Sequence, residues 1–386
     1  MLDNVPRLDY PLGGAVNGCP ALLVEPAATN GIRNNSMVGA SAPNTLPNNW
    51  SNAGSNLTRQ SVATGTLNGI PYVDIRISGT ANNAFHDVFW DASNVIAALV
   101  GQDWVASCYL QIIAQPNPPV NYLLAMREFN SSGGFLGVFQ GAALSISTTS
   151  FNRFSFTRVL NQAAVAFVHP SLFFTLVNGQ YYDFTIRIGY PQMERGTVAT
   201  SVIPTTTAAV TRSADVIRNT AATALIGQTE GTIYFEYYHN TATNAGIRNA
   251  FNLEGNVASS FNGINFATSN NGNDLQVAVQ VSSSSVVSGG AFSTSVSEGW
   301  HKVAFGYNAA TNGTSFYFDG NLIATRTLTS IPAMSRIAVM ARANPFSGFD
   351  LDRQFNNRIR NWEIYPNRIP NTAAPGVLSL ATLTAL

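Results

Sequence analysis

Charge is what this chain has least of. Of its 386 residues only 10% are Asp, Glu, Lys or Arg, against about 25% in an average soluble protein. The 20 basic and 20 acidic residues cancel to a formal net charge of zero. They are scattered, and Lys302 is the sole lysine. A neutral chain without a basic patch has no long-range field for nucleic acid or an anionic membrane, so neither is expected as a partner. Cysteine is nearly absent: Cys19 and Cys108 are too few for a disulfide framework and lack metal-ligand spacing. In VASCYLQII, Cys108 shares a face with Ala106, Leu110 and Ile112 and reads as a small buried hydrophobe. No apolar run approaches the roughly 20 residues of a spanning helix, so membrane insertion is not expected. The opening MLDNVPRLDYPLGG lacks the charged and apolar regions of a signal peptide, and synthesis in the cytoplasm is the expectation.

Catalytic signatures are also missing. The four histidines, His86, His169, His239 and His301, are widely spaced and form no HxH or HExxH pattern. Neither a Gly-x-Ser-x-Gly elbow nor a phosphate-binding glycine loop occurs. An enzyme is therefore not expected, and no cofactor is. The alternative is a glycosidase built on two of Glu128, Glu194, Glu236 and Glu363, whose spacing a sequence cannot supply.

What fills the space is Asn, Ser, Thr, Gly, Ala and a 45% apolar share, arranged with period two. In YYDFTIRIGY, Tyr182, Phe184, Ile186, Ile188 and Tyr190 share one face. PYVDIRIS points Val73, Ile75 and Ile77 inward and Asp74 and Arg76 outward. Ile233, Phe235 and Tyr237 in GTIYFEYYH behave alike, as do Val303, Phe305 and Tyr307 in HKVAFGYN. TSFYFDGNLIATR reads as a hairpin turning at Asp319-Gly320, the pair a type I′ turn demands. In NRIRNWEIYPNRI, Trp362 shares a face with Ile364 and is expected to be buried. No convincing amphipathic helix is present. Such a pattern predicts an all-β protein, and 386 residues exceed one ordinary core. The expectation is two antiparallel β-sandwiches of jelly-roll type with an extended N-terminal arm. Residues 1–45 would form the attachment arm, 46–203 the first sandwich, 204–214 a stiff strap and 215–386 the second sandwich with its tail. The strap has no glycine after Gly196 and holds Pro204 among β-branched residues, so it should stay extended.

The segment YPQMERGTVATSVIPTTTAAVTRSADV resembles the closing motif of the carbohydrate-binding-module-like domain of bacteriophage head spike and fibre proteins. The match is carried by Gln192, Glu194, Gly196, Ala199, Thr200, Ser201, Ile203, Pro204, Thr205, Val210, Thr211, Arg212, Ala214 and Asp215. The opening is similar to the lead-in of phage tail and fibre proteins at Arg7, Asp9, Tyr10, Leu22, Leu23, Val24, Glu25, Thr29 and Asn30, with Trp50 following. The second half more weakly resembles a concanavalin or laminin-G sandwich. These resemblances imply a virion structural protein made in the bacterial cytoplasm. It would be a head or tail fibre, or a decoration subunit, that contacts capsid, portal or tail proteins. A homo-oligomer, with a trimer favoured, and a host-surface glycan as ligand are further implications. The alternatives are a tailspike-type glycan depolymerase and a capsid decoration or collar protein that binds no sugar.

Sugars pair aromatic faces with hydrogen bonds from Asn, Asp and Arg. On that chemistry NNAFHDVFWD offers Asn82, His86, Asp87, Trp90 and Asp91. The alternative is that Trp90, with Phe85 and Phe89, is the core of a strand and turn. Asp350 and Asp352 in FSGFDLDRQFNN are the candidate calcium ligands, such loops supplying several oxygens.

Overall fold

In the computed structural model the described residues are 8–9, 21–91, 94–240, 247–255, 261–269, 272–311, 313–340, 355, 357–372 and 377–385. The chain is all-β: antiparallel strands dominate, with one short α-helix, Leu380–Ala385, and one turn of 3-10 helix, Thr223–Leu225, among the described residues. It divides into two units, Ala27–Ser213, and Met1–Pro26 together with Ala214–Leu386.

The first unit is a sandwich of two five-stranded sheets. One sheet orders Phe135–Gln140, Asn121–Phe129, Phe167–Thr175, Phe85–Phe89 and Ser51–Gly54. The other orders Asn152–Val159, Asp103–Ala114, Tyr181–Arg195, Ile70–Thr80 and Thr58–Leu67. Alternation places the core as expected: Val73, Ile75, Ile77, Phe184, Ile186 and Ile188 are fully buried, and Cys108 lies among them. Tyr190 departs from the pattern. A register shift between Gly189 and Gln192 and a φ of 39° at Tyr190 mark a bulge that resets which residues face inward. Asp74, expected in solvent, is buried beneath Arg187, whose Nε and Nη2 donate to its two oxygens at 2.8 and 2.9 Å.

The second unit stacks two seven-stranded sheets. Ile233, Phe235, Tyr237, Phe251, Phe266 and Phe305 form an aromatic core. The hairpin Gly313–Phe318 to Asn321–Thr327 turns with φ of 46° at Asp319 and 80° at Gly320, the two positive values of a type I′ turn. Trp362 is 42% exposed, contrary to expectation. The strand bulges opposite Tyr234 and Glu236, beside Asn361 at φ 48°, and the indole leans on Phe251, tilted by 50° with ring centres 6.0 Å apart.

The N-terminal arm requires correction. Ala21–Val24 is a strand of the second sandwich, paired with Asn357–Tyr365 from the far end of the chain. Ala28–Asn30 pairs with Val210–Arg212 in the first. The first sandwich is thus inserted between the opening strands and the remainder of the second, and the chain crosses between them twice. In the second unit the two passages are joined by Asp215, whose carboxylate accepts Glu25 N–H at 2.7 Å while its own N–H donates to Glu25 O at 2.9 Å.

Residues 204–213 belong to the first sandwich rather than to a free strap. Ile203 N–H donates to Gln192 Oε1 at 2.8 Å, and its carbonyl accepts from Asn30 and Asn35 at 3.1 and 3.0 Å. Buried Glu194 accepts from Thr200 N–H at 2.7 Å, the Thr200 hydroxyl at 2.6 Å and the Gln192 amide at 2.8 Å. Arg153 closes the set on Thr200 O at 2.6 Å, and Arg212 Nη1 donates to Ser201 O and Oγ at 3.2 and 3.0 Å. Gly196, at φ 147°, makes the turn into this segment. The motif is therefore a buried polar lock. Glu194→Ala strands three donors, and we expect a loss of about 3 kcal/mol in urea unfolding of the full chain. A loss below about 1 kcal/mol would show the lock to be incidental.

Candidate functional site

The five-stranded sheet that begins at Phe135–Gln140 is apolar on both faces. Tyr122, Leu124 and Met126 point into the core, whereas Leu123, Ala125 and Phe173 form a second small cluster on the opposite side with Phe85 and Val138. Strand neighbours along that outer face are fixed by register: Arg127 opposes His169, and Ser171 opposes Phe89. The result is an open groove of about 430 Å³ lined by Ser51, Asn52, Ala53, Phe89, Asn94, Arg127, Phe129, Gly133, Phe135 and His169. That volume lies within the range of small-ligand sites.

Arg127 is the centre of the groove. Its Nε donates to Asp87 Oδ2 at 2.8 Å and its Nη2 donates to the same oxygen. Its guanidinium lies 5.3, 5.4 and 5.3 Å from the ring centres of Phe85, Phe89 and Phe135, within cation–π range. Ser171 adds a hydrogen bond to Asp87 Oδ1 at 3.2 Å. Burial raises the Asp87 carboxyl to about 6, against the opposing pull of Arg127 and Ser171. His169 lies over Phe129 with centres 4.2 Å apart and is bonded through Nε2 to Asn94 Oδ1 at 2.9 Å. An amide oxygen only accepts, so Nε2 carries the proton. Burial lowers this imidazole to about 4, and it is neutral at physiological pH. Phe135, on the edge strand, is 54% exposed and meets Phe129 edge to face at 5.7 Å. An aromatic corner, a fixed planar donor and two side-chain amides thus converge on one depression.

The sugar-contact residues expected from the sequence fall elsewhere. His86, Asp87, Trp90 and Asp91 are each 0% exposed and have no surface to offer a ligand. His86 Nδ1 donates to Ser55 O at 2.8 Å inside the sandwich. Trp90 is core, as its alternative reading held. Asp91 accepts from Arg33 N, Nε and Nη2 at 3.1, 2.9 and 2.8 Å. Asn82 is exposed but serves a loop, accepting from Asn56 N–H at 2.9 Å. Of the set, only Asp87 reaches the groove, from beneath, through Arg127. Asp350 and Asp352 lie outside the described residues.

Arg127, Phe129 and Phe135 were missed, although a signal existed. YLLAMREF is mostly apolar at both parities, the pattern of a strand with an apolar outer face as well as an inner one. The four carboxylates considered for glycosidic chemistry do not line the groove. Glu128 is buried against Arg158 at 2.8 Å and Glu194 lies in the polar lock. In the second sandwich Glu236 accepts from Tyr234, Arg360 and Asn361, and Glu363 from Tyr365.

No protein-family model matches the chain, and no curated protein matches it. Among solved structures it is similar to the CBM40 module of the Ruminococcus gnavus IT-sialidase bound to α2,3-sialyllactose, at 15% identity and a TM-score of 0.32 over 43% of this chain and 85% of that one. It is similar to the tandem CBM22 modules of Paenibacillus barcinonensis Xyn10C, at 10% identity and a TM-score of 0.29 over 85% and 96%. A third neighbour is the tripod from the baseplate of bacteriophage Tuc2009, at 13% identity and a TM-score of 0.28 over 79% and 98%. Likeness at this level carries no inference about function.

Proposed function

We propose that the protein is a non-enzymatic component of a bacteriophage particle whose first sandwich holds a host-surface glycan. The observation that carries the binding role is the groove, where exposed Phe135, beside half-buried Phe129, offers a face for sugar C–H groups and Asn52, Asn94 and Arg127 offer hydrogen bonds. The particle assignment rests on the resemblance at Gln192–Asp215 and at the chain's opening. A homo-oligomer, trimeric by analogy with phage fibres, completes the reading and would give several weak sites on one particle useful avidity.

The test is a glycan array probed with the intact protein, followed by calorimetry on the best ligand with wild type and Phe135→Ala. Since Phe135 is more than half exposed, the variant should keep its melting temperature within a few degrees. We expect it to bind at least tenfold more weakly, a loss of about 1.4 kcal/mol. Unchanged affinity, or no ligand on the array, would overturn the binding role. Labelled antibody against the protein should decorate intact particles, and its absence from them would overturn the particle assignment.

A further inference from the structure

The charges around the groove bear on which sugars it accepts. Three ionisable groups face it or lie directly beneath it: Arg127, His169 and Asp87. Arg127 spends two of its donors on Asp87, and its side chain is 10% exposed while that of Asp87 is not exposed at all. His169 is uncharged, and its one ring proton is committed to Asn94. Asp91, behind this wall, is paired with Arg33. The remaining lining is Ser, Asn, Ala, Gly and Phe. The groove is therefore built around a cation, yet its charges cancel.

We propose that the groove selects uncharged pyranose rings over acidic ones, with Arg127 acting as a hydrogen-bond donor and rigid wall rather than as a counter-ion. This rests on the glycan-binding reading above and narrows it. Sugar hydroxyls both donate and accept, and the Asn52 and Asn94 amides and the Ser51 hydroxyl are partners of the same dual kind. A carboxylate only accepts. On entering the groove it loses water, meets aromatic rings, and finds the one guanidinium already neutralised by a carboxylate that cannot leave. Arg127 also lies among three phenylalanine rings, and swinging out to form a new bidentate pair would break both of its bonds to Asp87.

The test uses the intact protein and matched pairs of ligands: lactose against α2,3-sialyllactose, and galactose oligomers against galacturonic acid oligomers. We expect the neutral member of any pair that binds to be at least tenfold tighter. Its affinity should change less than twofold between 50 and 500 mM NaCl. In Asp87→Asn, checked as folded by circular dichroism, Arg127 loses its counter-ion, and the acidic member should gain tenfold or more in a salt-sensitive manner. Should that variant not fold, the wild-type pairs decide alone. Tighter, salt-sensitive binding of the acidic members by wild type overturns this selectivity while leaving glycan binding intact. Binding of neither member in any pair, with an empty array, overturns the underlying reading instead.

Discussion

Asp87→Ala destabilises the first sandwich by about 3–5 kcal/mol, the range for removing one partner of a buried ion pair. The carboxylate has no solvent exposure and its partner Arg127 has little. Without Asp87 the guanidinium would sit among Phe85, Phe89 and Phe135 with a full charge, and the Ser171 hydroxyl would lose its acceptor. Dispersion and ring quadrupoles cannot replace a carboxylate there. The diagnostic is the double variant Asp87→Ala, Arg127→Met, which removes both charges and keeps apolar bulk over the rings. It should recover most of the loss in urea unfolding, since replacing a whole buried pair by apolar groups is close to neutral. A double variant as unstable as the single one would mean that shape, and not charge, sets the cost.

Acid is expected to unfold the same sandwich early, chiefly through His86 and His169. Burial is the main cause of both shifts and lowers each imidazole from 6.5 to about 4. For His86 the geometry explains the direction: Nδ1–H already donates to Ser55 O, so protonation falls on Nε2, which is buried without a partner. A histidine with a lowered folded pKa contributes stability that is complete above pH 6.5 and is lost as pH falls towards 4. A fall from 6.5 to about 4 corresponds to roughly 3 kcal/mol for each residue. Asp87 runs the other way. Its pKa is raised to about 6, so its contribution is complete below pH 3.8 and lost as pH rises through 6, which offsets part of the histidine effect. The net loss between pH 7 and pH 4 is about 3 kcal/mol. His86→Gln keeps a donor for Ser55 O but cannot titrate, and it should shrink the acid loss by about 3 kcal/mol. Parallel pH profiles for wild type and variant would remove His86 from the account.

Several features of the fold were legible because they are local. A strand's side chains alternate whatever it pairs with, so Val73, Ile75 and Ile77, or Ile233, Phe235 and Tyr237, declare an inner face at once. Asp319-Gly320 declares its turn because only such residues enter positive φ cheaply. Ala21–Val24 could not be placed in the same way. Four residues carry too little periodicity, and their partner strand, Asn357–Tyr365, is contributed by the opposite end of the chain. The bulges at Tyr190 and Asn361 likewise moved Tyr190 and Trp362 off their expected faces, since one inserted residue inverts every side chain after it.

The candidate site shows the same division. The aromatic and charged residues of NNAFHDVFWD were conspicuous in one short segment, yet the fold buries His86, Asp87, Trp90 and Asp91. The groove takes one to three residues from each of several strands and loops, far apart in the chain, and no window of sequence contains it. By itself the sequence determined the all-β class, the strand faces, the hairpin turn and a stretch at 192–215 unlike ordinary linker. Only the tertiary structure decided that this stretch is a lock on the first sandwich, that the chain enters the second sandwich before the first, and that Arg127 stands neutralised in a Phe-walled groove. The reason is range: alternation and turn preference act between neighbours, whereas strand pairing and charge compensation act between residues that only folding brings together.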